Sequence, residues 1–176
     1  MPKEKTEEKI EPVPTPLAFF QDPVQTAQQY EVPQSERNDI YMSCKSAIMT
    51  SNTVSTPVAV NSVIPIGNII RRFGNSVSAA GNAIFLNDRG YYNIDITATF
   101  TAPVAGNATI TIFQNGVAIP GATATVTVTT ANTQFVTVSI PAIARVFDSC
   151  SANSITLVLT GIEATFTNVG VVVEKM

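Results

Sequence analysis

The sequence predicts an all-β protein: an antiparallel sandwich over residues 58–176, carried behind an extended N-terminal arm of residues 1–57 that contains one short helix. Three observations predict the sandwich. From Val58 onward, short segments rich in Val, Ile, Thr and aromatic residues follow one another. Turn signals separate them at fairly even spacing: Arg89-Gly90, Ala105-Gly106-Asn107, Asn115-Gly116, Pro120-Gly121 and Gly161. No helical period appears there, and about eight to ten short strands in roughly 115 residues suit two packed antiparallel sheets.

The arm differs in composition. Seven of the eleven prolines lie at or before Pro57, whereas all nine glycines lie at Gly67 or later. Pro12, Pro14 and Pro16 favour polyproline II and exclude helix. The first eleven residues are too charged to bury. Leu17, Phe19 and Phe20 then form an apolar cluster in a segment unable to build its own core. It is expected to be an anchor, with two open destinations: a groove on another protein or subunit, or the chain's own C-terminal domain. Over residues 35–49, Ser35 suits an N-cap, Glu36 and Asp39 suit the first turns, and Ile40, Cys44, Ala47 and Ile48 recur at helical spacing. A helix is predicted there.

Within the sandwich, the clearest strand is YYNIDITATF, residues 91–100. Tyr92, Ile94, Ile96, Ala98 and Phe100 share one face, and Tyr91, Asn93, Asp95, Thr97 and Thr99 the other. The first set is expected to pack in the core or at a subunit contact, as are Val171 and Val173 near the C-terminus. Asn115-Gly116 predicts a two-residue type I′ hairpin, since both positions take positive φ. In ATATVTVTT, residues 122–130, an apolar face alternates with Thr123, Thr125, Thr127 and Thr129. That threonine face suits exposure, and equally suits half-burial against a neighbour.

Composition removes several function classes. The 176 residues include no histidine and no tryptophan, which excludes Ser-His-Asp and Cys-His catalysis and most zinc sites. Acids in the C-terminal region are scattered singly as Asp88, Asp95, Asp148, Glu163 and Glu174, and no glycine-rich phosphate loop opens a helix. The chain is therefore expected to be no enzyme and to hold no cofactor or metal. Net charge is −3, with one adjacent basic pair, Arg71-Arg72, that has no acid close by, so nucleic acid is not an expected partner. No run of about 18 apolar residues predicts a membrane span, and MPKEKTEEKIEPVP lacks the apolar core of a secretion signal. The two cysteines, Cys44 and Cys150, do not make a disulfide framework and read as free thiols. Charged residues are only 13% of the chain, against about 25% in typical soluble domains, a surface suited to burial in an assembly.

The runs RGYYNIDITATF, ATITIFQNGVAIPGATATV, AIARVFDSCSANSITLVLTG and VGVVVEKM resemble the trimeric jelly rolls of the complement-component and tumour-necrosis-factor type. Gly90, Tyr91 and Tyr92 match that family's Gly-x-Tyr at the head of a central strand, and Asn115-Gly116 matches its hairpin. Phrases such as IPIGNIIRRFGNSVSAAGNAIFLNDRGYYNIDI resemble the versions in bacteriophage head-fibre and tail-fibre proteins. The chain departs from the animal domains in carrying Asp148-Ser149-Cys150 where they often have Gly-Asp, and in ending on valines where they are aromatic-rich. The resemblance implies a homotrimer packed edge to face, with Val169–Val173 near the threefold axis. It further implies a structural virion protein, a head fibre or capsid decoration whose arm attaches to capsid or other virion proteins. Two alternatives stay open: a tail protein recognising host surface glycans, and a spore-surface binding module.

Overall fold

The structure, a computed structural model, describes residues 45–148 and 153–176. Its strands are β1 (Ala47–Asn52), β2 (Thr56–Val58), β3 (Ser62–Val63), β4 (Asn68–Phe73), β5 (Val77–Ala80), β6 (Ala83–Leu86), β7 (Gly90–Thr101), β8 (Gly106–Gln114), β9 (Val117–Val128), β10 (Val136–Val146), β11 (Asn153–Gly161) and β12 (Ala164–Lys175). They form two sheets, ordered β10-β7-β12-β1-β4 and β5-β6-β11-β8-β9, with β2 added beside β12 and β3 beside β11. Every pairing is antiparallel. The chain passes from one sheet to the other at β2–β3, β3–β4, β4–β5, β6–β7, β7–β8, β9–β10, β10–β11 and β11–β12, the crossings that make a jelly roll of two sheets.

Alternation fixes which face each strand buries. On β7, Tyr92, Ile94, Ile96, Ala98 and Phe100 are all buried, and on β12 Phe166, Val169, Val171 and Val173 join them. Ile110 and Ile112 of β8 and Leu157 and Leu159 of β11 close the core from the second sheet. The Phe100 and Phe166 rings pack at a tilt, with centroids 5.2 Å apart. At the β8–β9 hairpin, Asn115 (φ 52°) and Gly116 (φ 78°) take the two left-handed positions that a type I′ turn requires.

The structure corrects three expectations. Residues 47–49 lie in β1, not in a helix; residues 35–44 of the predicted helix lie outside the described residues. The sandwich also begins ahead of Val58, since β1 pairs with β12 from Ala47↔Glu174 to Asn52↔Val169. The physical reason is that β1 buries Ile48, Thr50 and Asn52 alternately with exposed or half-exposed residues, so two of the three inward side chains that mark its period of two are polar. Pro120-Gly121 is no turn between strands. β9 runs through it, and its register with β8 shifts between Thr111 and Phe113, a bulge that Gly121 at φ 79° accommodates.

Candidate assembly interface

At one end of the sandwich β1 begins, β4 and β12 finish, and β7 starts. Lys45, the first described residue, lies here, so this is called the arm end. A polar cluster ties it together. The Tyr92 hydroxyl donates to the Asp88 carbonyl at 2.8 Å and accepts the Asp88 N–H at 3.3 Å. Ser76 Oγ donates to the Asp88 carboxylate, which Lys175 Nζ also reaches at 3.5 Å, the one salt bridge among the described residues. Ser46 Oγ donates to the Phe73 carbonyl and accepts the Ser76 N–H, both at 3.0 Å. The Lys175 and Met176 N–H groups donate to the Ser46 and Tyr91 carbonyls at 2.8 and 3.0 Å. Burial pushes the Tyr92 phenol above its ordinary value, an effect opposed by the hydrogen bond to the Asp88 backbone and reinforced by the nearby Asp88 charge.

Two apolar surfaces lie outside the core. The first is a groove of about 650 Å³ on the outer face of the β12-β1-β4 region, lined by Ala47, Ile48, Met49, Ile70, Phe73 and Val172 together with the charged side chains Arg71, Arg72 and Glu174. Register explains it: Ala47 stands opposite Phe73 and Glu174, and Met49 opposite Val172 and Arg71, so these side chains share one face. Phe73 is 66% exposed and Ile70 56%. The second is the edge where β9 and β10 meet. There Val117, Ile143 and Phe147 stand 71%, 58% and 69% exposed. Arg145 places its guanidinium 4.0 Å from the Phe147 ring centroid and 5.1 Å from that of Tyr91, so cation–π contacts hold it flat against the edge.

The outer face of the second sheet is different. Thr109 and Thr125 pair hydroxyl to hydroxyl at 2.8 Å, Thr123 donates to Thr111 at 3.1 Å, and Thr127 donates to Asn107 at 2.8 Å. The outward positions of β8, β9 and β11 carry no charge. In the single chain Thr123, Thr125, Thr127 and Thr129 are exposed.

The residues singled out from sequence separate clearly. Tyr92, Ile94, Ile96, Phe100, Val171 and Val173 all lie in the core between the chain's own sheets, at 0–1% exposure, and Val169 with them. On β12 only Gly170 and Val172 of that closing run face outward, half-buried. Leu17, Phe19, Phe20, Cys44 and Cys150 lie outside the described residues. Sequence reasoning missed Met49, Ile70, Phe73, Ile143 and Phe147, because a side chain's facing can be read from alternation but its neighbours across the sheet cannot. Among the described residues, no three His, Cys, Asp or Glu side chains converge to hold a metal ion, and no helix is long and apolar enough to cross a membrane.

No family model matches the chain, and no curated protein matches it in sequence. Solved structures do match it in fold. Murine APRIL aligns over 75% of this chain and 99% of its own at 11% identity, with a TM-score of 0.51. The globular domain of zebrafish complement 1qA protein aligns over 74% of this chain and 95% of its own at 6% identity, also with a TM-score of 0.51. PRD1 vertex protein P5 aligns over 74% of this chain at 15% identity, with a TM-score of 0.49, too low for the likeness to bear on function. The described residues thus share the jelly-roll fold of murine APRIL and of the complement 1qA globular domain.

Proposed function

We propose that this chain is a non-enzymatic structural protein that assembles as a homotrimer through its jelly-roll head and attaches through its N-terminal arm. The observation that carries the reading is the pair of uncovered apolar surfaces, the groove at Met49, Ile70, Phe73 and Val172 and the edge at Val117, Ile143 and Phe147. They lie towards opposite edges of the first sheet, β4 and β10. One subunit's edge set in the next subunit's groove repeats head to tail, and a rotation of one third closes the ring. Burial of such patches at about 25 cal/mol per Å² favours assembly strongly.

The particle role follows from the sequence resemblance. The trimer serves as a bacteriophage head fibre or capsid decoration, with Leu17, Phe19 and Phe20 as the anchor to capsid protein and the capsid surface as its location. Light scattering tests the assembly: the expected mass is three times the 18.7 kDa chain, and Ile143→Asp or Phe73→Asp lowers it to one. A wild-type mass of one chain in dilute neutral buffer removes the proposal. Mass spectrometry of purified particles tests the role, with a stoichiometric signal expected. Replacing Leu17, Phe19 and Phe20 by serine is expected to release the protein from particles while the trimer stays intact.

A further inference from the structure

β4 is an edge strand with an open side. It pairs with β1 alone, so its other side meets no strand among the described residues. All six of its residues are exposed, including Ile69, Ile70 and Phe73. Arg71 and Arg72 make no ion pair among the described residues. An open edge that carries large apolar side chains is a template for a further strand. The groove already described lies on the outer face of this region, and the open edge is its lateral border.

Charge decides what can pair there. A second copy of β4 laid antiparallel against this one brings Arg71 and Arg72 against the same pair, with no acid on either strand. Like charges facing each other destabilise a ladder. An acidic strand meets no such penalty, and the chain carries acid outside the described residues. Residues 1–44 hold eight acids and four basic residues, whereas residues 45–176 hold five acids and six basic residues. Of those eight acids, Glu31 alone stands between two β-favouring residues, Tyr30 and Val32. The reach is sufficient. β4 finishes beside the first described residues, where Ser46 Oγ donates to the Phe73 carbonyl at 3.0 Å. Residues 34–44 span up to about 36 Å when extended, against about 20 Å for the length of β4.

We propose that residues 29–33 of the same chain add to the open edge of β4 as an antiparallel strand, with Glu31 opposite Arg72. Antiparallel addition starts that strand at the arm end, so residues 1–28 leave the head there and Leu17, Phe19 and Phe20 stay free to attach. The register sets Tyr30 opposite Phe73 and Val32 opposite Arg71. Phe73 and Arg71 stand opposite Ala47 and Met49 on the outer face, and Arg72 stands opposite Ile48 on the other. Tyr30 and Val32 extend the apolar outer face, and Glu31 meets Arg72 on the other side. Pro33 suits the new outer edge, because a missing N–H is tolerated where it faces solvent and it discourages any further strand. Backbone hydrogen bonds along the edge supply the affinity, and the charges fix the register. Strand addition needs no other subunit, so it stands apart from the homotrimer reading.

Hydrogen–deuterium exchange on the full-length protein, read peptide by peptide, tests this. Residues 29–32 and β4 are both expected to exchange slowly. Arg72→Glu and Glu31→Arg are each expected to speed both segments about tenfold, and the two combined to restore slow exchange. Peptides from β12 check the fold and are expected to keep their rate in every variant. Exchange of residues 29–32 at the rate of a free chain overturns the proposal. So does slow exchange of β4 beside a freely exchanging segment, the pattern that a second copy or another protein on the edge gives. A double variant no slower than the single ones overturns it too. Light scattering on the same samples separates the two readings. A trimer whose residues 29–32 exchange freely sinks strand addition alone. A monomer in which they are protected sinks the homotrimer reading and leaves strand addition standing.

Discussion

Replacing Tyr92 by phenylalanine removes one oxygen from the arm end and leaves the ring in the core. Tyr92 is fully buried, and its hydroxyl holds both the carbonyl and the N–H of Asp88. Each net hydrogen bond is worth about 1 kcal/mol, and a donor left unpaired costs about 1–3 kcal/mol. The longer of the two bonds, at 3.3 Å, counts for less, so Tyr92→Phe is expected to destabilise by about 2 kcal/mol. Urea unfolding at one fixed protein concentration measures this as a lower midpoint at unchanged slope. The same hydroxyl gives a pH signature. Its folded pKa is raised, so the folded state holds the phenolic proton more tightly than the unfolded state, whose value is near 10. The stabilisation is therefore present in full below about pH 10 and lost as pH rises through the folded value. The gap between wild type and Tyr92→Phe should be constant from pH 6 to about 9 and shrink above about 10. A midpoint change worth under about 0.5 kcal/mol, or a gap that widens in alkali, refutes the reasoning.

Two further changes probe the fit between strands. Thr50 Oγ1 is the one buried side-chain oxygen among the described residues without a hydrogen-bond partner; Thr50→Val, nearly the same shape, should stabilise by about 1 kcal/mol in the same urea assay. Gly161 sits at φ 93° with the Asn107 carbonyl against the place of a Cβ, so Gly161→Ala should cost at least about 2 kcal/mol and lower the melting temperature in calorimetry.

The strands after Val58 were legible because β-branched residues alternate there with threonine and asparagine over long runs. β1 was not, because its inward positions include Thr50 and Asn52, with Ser46 buried just ahead of it, and polar side chains mark no core face in a sequence. The bulge at Pro120-Gly121 read as a turn because proline and glycine punctuate both. The polar cluster was out of reach for another reason: Asp88 and Lys175 are separated by 87 residues, and only the sheet order brings them together. The groove was likewise invisible, since it exists only where β4 lies beside β1. The far end is a partial exception. At the end of the sandwich opposite Lys45, Glu163, the one acid there among the described residues, stood in the sequence, but its place between Pro57 and Pro103 did not.

The placement of β1 has a mechanical consequence. It lies between β12 and β4, antiparallel to both, and the chain enters it at the arm end. A pull on the arm is therefore directed along the strand, and the bonds to both neighbours share the load in shear instead of parting one by one. A tether joined this way resists tension far better than one that peels.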